Sequence, residues 1–201
     1  MQLYTLDRKK KEISVLSMDR DTMTPIHLYD VSHNSLGWKK QHLALAYAYG
    51  RDSKNGALLT CKAVSKMLYG IPINKYVAVN LDDLDKIQEI VGTLEVEIPN
   101  DSLEEVNPLW TKGTTITLDK TNVETFVRSR NTNEDFSNED RMERQKVYLN
   151  AYHAKLKEIL NTDYENTLKK VCDLIKDVTC NVTYEEVESY VRMFQTFSYC
   201  V

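Results

Sequence analysis

Arg20, Arg128, Arg130 and Arg141 stand at the ends of the chain's regular segments rather than inside them. Arg20 follows an alternating apolar run, Arg128 and Arg130 flank the junction of a helical pattern with a polar stretch, and Arg141 opens a long helical pattern with Gln145 one turn later on the same face. Residues at element ends can converge on one rim of an α/β sheet, where such folds bind ligands. A guanidinium is always charged and donates two parallel bonds to phosphate, so several together suit a diphosphate better than a single phosphate. Group transfer at such a site needs charge neutralisation, in-line access for an acceptor hydroxyl and, commonly, a divalent cation. Asp19, Asp21 and, more distantly, Asp140 are the carboxylates to consider for that cation, and each reads equally well as a turn, cap or surface ion pair.

Other chemistries find less support. His27, His33, His42 and His153 lack ligand spacing, and Ser17, Ser35 and Ser129 lack the context of a nucleophile elbow. Cys61, Cys172, Cys180 and Cys200 show no CxxC pair. Only Cys172 and Cys180 are near enough in sequence for a local disulfide, and helical placement would separate them. Tyr47, Tyr49, Tyr69 and Tyr76 lie near element ends and read as core.

The elements that must carry the arginines follow from periodicity. Gln2–Leu6 and Ile13–Met18 alternate as two antiparallel strands about the charged turn DRKKKE. The polar, proline-bearing stretch at 19–30 reads as a loop. Helices are expected at Gln41–Tyr49, after an Asn55 cap as far as Gly70, and at Leu81–Val91, with strands at Tyr76–Asn80 and Leu94–Ile98. A loop at 99–112, a strand at Thr114–Leu118 and a helix at Lys120–Arg128 come next. A polar connection at 129–140 precedes helices at Arg141–Leu160, Tyr164–Ile175 and Thr183–Phe194, the last opened by the capping box TYEE. Strand, helix, strand in this order predicts an α/β layer structure, an α-β-α domain with a central mixed sheet.

The 201 residues suffice for one core and one domain. A net charge of −4 supplies no global field for a polyanion, so an anion site must be local and nucleic acid is not an expected partner. No apolar run reaches the roughly 18–20 residues of a membrane span. The abrupt opening MQLYTLD, a strand with no lead-in, suggests a fragment of something longer.

RDTMT at 20–24, ALAYAYG at 44–50, LYGIPINKYVAVN at 68–80, KGTTITLD at 112–119, FVRSR at 126–130 and DRMERQ at 140–145 occur together and in this order. In these motifs the chain resembles the LytR-CpsA-Psr family over residues 2 to about 195. The resemblance implies an α/β domain with a hydrophobic tunnel on the outer face of a Gram-positive membrane. It implies transfer of an anionic glycopolymer, of teichoic acid or capsular type, from a polyprenyl diphosphate carrier to a peptidoglycan sugar hydroxyl. Arg20, Arg128, Arg130, Arg141 and Gln145 match positions around the lipid diphosphate, and Asp21, Tyr49 and Arg144 are assigned to substrate binding beside them. The prenyl chain is expected in a lipid groove around Leu43–Tyr49, Leu58–Leu68 and Leu84–Val91. The family's first strand, its acidic magnesium-binding segment and its membrane anchor are expected upstream of Met1, which leaves the Mg2+ site incomplete within this chain. The alternative is a binding module that captures lipid-linked or wall polymer without turning it over.

Overall fold

The computed structural model describes residues 1–130 and 137–200. Strands β1 (Gln2–Asp7) and β2 (Glu12–Ser17) form the expected hairpin. Asp7 closes its turn by accepting the backbone N–H groups of Lys9 and Lys10, each at 2.9 Å. A late strand, β9 (Ser198–Cys200), lies parallel to β2 and completes a mixed three-stranded sheet.

The next segment departs from expectation. Within 19–30 the chain forms β3 (Met23–Tyr29), antiparallel to β4 (Ser35–His42). Thr24, Ile26 and Leu28 are buried while Met23, Pro25, His27 and Tyr29 are not, the two-residue period of a half-buried strand. Pro25 masks that period in the sequence. It is tolerated because each strand of a two-stranded sheet has a free edge on which a missing donor costs nothing. The expected helix at Gln41–Tyr49 shrinks to the single turn α1 (Leu45–Ala48), since Gln41 and His42 still belong to β4.

Helix α2 (Ser53–Met67) begins earlier than the Asn55 cap implies. Asp52 is the cap, accepting Asn55 N–H at 2.7 Å, and the Asn55 side chain in turn accepts Arg51 N–H at 3.2 Å. Gly50 and Gly56 let α1 and α2 meet backbone to backbone, because a Cβ on Gly50 would lie 2.2 Å from Gly56 N.

The remaining elements are β5 (Val77–Ala78), a 3-10 turn (Leu81–Asp83), α3 (Leu84–Val91), β6 (Leu94–Glu97), β7 (Thr115–Leu118) and α4 (Val123–Arg128). After them come α5 (Ser137–Thr162), α6 (Tyr164–Asp177), β8 (Thr179–Cys180) and α7 (Tyr184–Thr196). The class is mixed α/β, with helices packed on several small sheets: β6 pairs with β7 and β5 with β8. Thr183 and Glu186 form the expected capping box of α7. Helix α5 starts ahead of Arg141, and of the expected polar connection residues 131–136 lie outside the described residues. All four cysteines are free thiols.

Three apolar clusters hold these pieces. One joins α3, α4, α5, β6 and β7 around Phe126, Leu118, Ile98 and Tyr148; a second joins β3, α1 and α2 around Ile26, Leu43 and Ala63; the third joins α5, α6 and α7 around Leu160, Cys172 and Val187. His153 of α5 is 7% exposed, with its Nε2 facing Tyr4 Oη at 3.3 Å and Tyr199 Oη at 3.5 Å. Burial pushes its pKa down from 6.5 to about 4. Unfolded chains therefore bind this proton first, and stability falls as pH drops from 6.5 to 4, by roughly 2–4 kcal/mol. Urea unfolding across that range should show the loss, and His153→Phe should flatten it; an equally steep slope in the variant would assign the loss to other groups.

Candidate anion-binding site

Where β2 ends, the chain turns at Asp19, Arg20 and Asp21. Asp19 Oδ1 accepts the Asp21 N–H at 2.9 Å, which holds the turn, and Asp21 pairs with Arg20 Nε at 3.8 Å. The first turn of α5 comes to meet it, with Asn138 Nδ2 donating to Asp19 Oδ2 at 2.6 Å and Arg141 donating to Asn138 Oδ1. On the other side, the end of α4 brings Arg128 and Arg130. Gln145 is tied to that end, its Nε2 donating to Val127 O at 2.9 Å.

These elements enclose a cavity of about 450 Å³ lined by Arg20, Arg128, Arg130, Arg141 and Gln145, with Asp19 and the apolar side chains of Met1, Met18, Leu81, Val127 and Met142. Every residue assigned to the diphosphate from the sequence thus lies on one wall or another of the same cavity. Among the described residues, four guanidinium groups and one carboxylate line it. Arg128 also pairs with Glu124 one turn back, both about half exposed, so this pair contributes little to stability and is readily exchanged for phosphate.

The charges respond to one another. Partial burial, followed by the positive charges of Arg130 and Arg20, lowers the pKa of Arg141, and its Nε is buried without a hydrogen-bond partner among the described residues. Burial works against the Asp19 carboxylate, but the Asp21 amide, Asn138 and Arg141 outweigh it and hold its pKa below the usual value. Among the described residues the cavity therefore carries an excess of positive charge, and an anion placed among the arginines relieves their repulsion.

Three assigned residues sit differently. Arg144 is fully buried beneath the cavity, not in it. Its Nε donates to Phe126 O at 2.9 Å, and its other nitrogens donate to Ser102 Oγ and Ser129 O, so it grips the peptide between Arg128 and Arg130. Burial lowers its pKa to about 10, still charged at neutral pH. It positions two arginines, in place of the substrate contact expected of it. Tyr49 packs against the second apolar cluster and is not among the cavity's lining residues, and Asp21 turns toward Arg20.

The apolar wall also differs from expectation. Leu43, Ala46, Ala63 and Val64 are buried in the second cluster, and no residue of Leu43–Tyr49 or Leu58–Leu68 lines this cavity. Leu81 and Met142 do instead, and Val77, Val79 and Leu81 lie about half exposed at alternate positions leading to it. Ile90 and Val91 line a separate cleft of about 220 Å³ between α3, α5 and α6.

Of the expected metal carboxylates only Asp19 lines the cavity. Asp21 is taken by Arg20, Asp140 is not among the lining residues, and among the described residues no group of three or more His, Cys, Asp or Glu is placed to hold a metal ion. The one carboxylate that lines the cavity among the described residues does not by itself fit a magnesium ion, which takes several oxygen ligands.

The LytR_cpsA_psr family model matches residues 1–199. The polyisoprenyl-teichoic acid--peptidoglycan teichoic acid transferase TagV of Bacillus subtilis is 30% identical over 156 residues, which cover 74% of this chain and 36% of that protein. The crystal structure of B. subtilis TagV superposes with a TM-score of 0.67 at 28% identity, covering 97% of this chain and 70% of that one. The protein gbs0355 from Streptococcus agalactiae shares the fold, with a TM-score of 0.73 at 19% identity over 99% of this chain and 67% of that one. The chain spans about a third of the full length of the curated relative it matches. In motif order, in fold and in the family match alike, this chain belongs to the LytR_cpsA_psr family.

Proposed function

We propose that this domain transfers an anionic glycopolymer phosphate from a polyprenyl diphosphate carrier to a sugar hydroxyl of peptidoglycan. The observation that carries the reading is the convergence of Arg20, Arg128, Arg130 and Arg141 on one cavity that Met1, Met18, Leu81, Val127 and Met142 also line with apolar surface. An amphiphile with a diphosphate head satisfies both halves. Its charge is spread over the guanidinium groups, and its chain leaves past Leu81, Met142 and the half-exposed Val77 and Val79. The teichoic acid transferase activity in the name of TagV supports the same substrate class.

In the reaction, the acceptor hydroxyl oxygen forms a bond to the polymer-linked phosphorus while the bond from that phosphorus to the bridging oxygen breaks. Polyprenyl monophosphate leaves. Negative charge develops on the departing oxygens, and the arginines are placed to receive it. Gln145, held to Val127 O by its Nε2, keeps its carbonyl oxygen to orient the acceptor. The hydroxyl proton passes to Asp19, the one carboxylate lining the cavity among the described residues. A depressed pKa makes Asp19 a weak base, which suffices where the transition state is loose and demands little nucleophile activation.

On this reading the work takes place on the outer face of a membrane. Among the described residues no helix is long and apolar enough to cross a membrane.

Asp19→Asn in the full-length protein tests the assignment. Transfer of lipid-linked polymer to peptidoglycan, followed as release of polyprenyl phosphate, should slow by about a hundredfold or more. Carrier binding should hold or tighten, because a negative charge has left the cavity. Turnover equal to the parent would remove Asp19 from the chemistry. Tight carrier binding by an intact full-length protein that never transfers would favour the non-catalytic binding module.

A further inference from the structure

The outward face of the β3–β4 hairpin carries an unusual surface. The register sets His27 opposite Trp38 and Pro25 opposite Lys40, so these four share one face. The rings touch: His27 lies 4.6 Å from Tyr29 and 5.2 Å from Trp38, centroid to centroid, the latter edge to face. Lys66, reaching from α2, sets its ammonium 4.8 Å from the centre of the Trp38 ring. Trp38 is nevertheless 41% exposed, a large apolar ring held rigidly in water. Lys39, Lys40 and Lys66 are exposed, and none pairs with a carboxylate among the described residues, in a chain whose net charge is −4.

The exposed part of this braced indole offers apolar surface to the C–H side of a pyranose ring, and ammonium groups with no carboxylate partner among the described residues offer charge to the phosphates between rings. Neutral glycan would leave the lysines unused, and a bare polyphosphate would leave the rings unused. A membrane surface fits less well. The hairpin tip is Asp30, Val31, Ser32, His33 and Asn34, with Asp30 binding back to Ser32 N and Asn34 N, so a single apolar residue would lead any insertion. The hairpin also starts from the Arg20 turn, tied to it where His42 Nδ1 meets Asp21 O at 2.9 Å. The four residue steps from Met23 to His27 span about 13 Å, a distance that a few sugar units cover.

We propose that this face is a second subsite, binding the sugar-phosphate chain of the polymer through Trp38, His27, Tyr29, Lys40 and Lys66 while the diphosphate sits among the arginines. It rests on the reading of the substrate as an anionic glycopolymer. The subsite gives the domain a grip on the cargo that is independent of the lipid, and so a means of telling one polymer from another.

The test is a set of calorimetric titrations of the domain at fixed ionic strength with phosphomannan, neutral dextran and inorganic polyphosphate, and of phosphatidylglycerol vesicles in a flotation assay. Phosphomannan should bind at least about tenfold more tightly than dextran or polyphosphate, and Trp38→Ala and Lys66→Glu should each weaken it about tenfold. Both variants should keep the parent's thermal midpoint and its affinity for geranylgeranyl diphosphate. Equal binding of polyphosphate, equal binding of the vesicles, or phosphomannan affinity unmoved in both variants would overturn the subsite. If phosphomannan binds in a Trp38-dependent way while geranylgeranyl diphosphate does not bind at all, the subsite stands and the arginine cavity loses its assigned ligand.

Discussion

Arg141→Ala should weaken prenyl diphosphate binding by at least about 30-fold, the equivalent of about 2 kcal/mol or more for removing one partner of a partly buried charge contact. The same substitution should leave the empty domain as stable as before, or more so. Arg141 sits partly buried beside Arg130 and Arg20, its Nε without a partner among the described residues, and its pKa is lowered by that burial and by the two neighbouring positive charges. Loss of its bond to Asn138 offsets part of that gain. A group that destabilises the empty protein while holding the ligand is what a binding site looks like when stability and function compete. Thermal melts of parent and variant, run with and without geranylgeranyl diphosphate, read both quantities. A variant that melts several degrees lower while binding normally would make Arg141 a structural residue.

Arg144→Met should do the reverse and cost at least about 3 kcal/mol of stability. The Phe126 and Ser129 carbonyls and the Ser102 hydroxyl would each lose a charged donor, and a buried acceptor left unpaired costs ~1–3 kcal/mol. Binding should fall too, about tenfold in whatever fraction stays folded, because the Ser129 peptide that sets the directions of Arg128 and Arg130 would be released. Urea unfolding gives the first number, and diphosphate titration well below the transition gives the second. Should the variant not fold at all, Ser102→Ala removes one bond of the set and should cost about 1 kcal/mol. Unchanged stability of Arg144→Met with lost binding would return Arg144 to direct contact with substrate.

The arginine positions were legible because residue type and place in an element are both written in the sequence. Which of them face the ligand was not. Asn138, Arg141, Met142 and Gln145 recur at spacings of three and four on one face of α5, whereas Arg144 stands one turn before buried Tyr148, on the stripe that meets the first apolar cluster. A helix that opens at Arg141 leaves Asn138 in the polar connection, and nothing in the local pattern marks its bridge between Asp19 and Arg141. A register drawn from Tyr148 backwards would have found Arg144's burial.

Elsewhere the misreadings have local causes. Pro25 disguised β3, and β4 carries exposed residues on both faces, so neither strand announces itself by alternation. The short strands β8 and β9 have no periodicity to read, and exist because Val77 and Ala78 in one case and Glu12 to Ser14 in the other present unpaired edges. The apolar wall at Leu81 and Met142 depends on the approach of the 3-10 turn to α5, a contact between residues far apart in the chain. Local pattern carries no record of it.

Whether the four arginines form a diphosphate site with an apolar exit is read by calorimetric titration of the domain and its Arg128→Ala variant with geranylgeranyl diphosphate, geranylgeranyl monophosphate and geranylgeraniol. The diphosphate should bind most tightly, the monophosphate at least about tenfold less and the alcohol least, with diphosphate affinity lost in Arg128→Ala. Equal affinity for the alcohol and the diphosphate, or an Arg128→Ala domain that binds the diphosphate as tightly as the parent, would contradict the account.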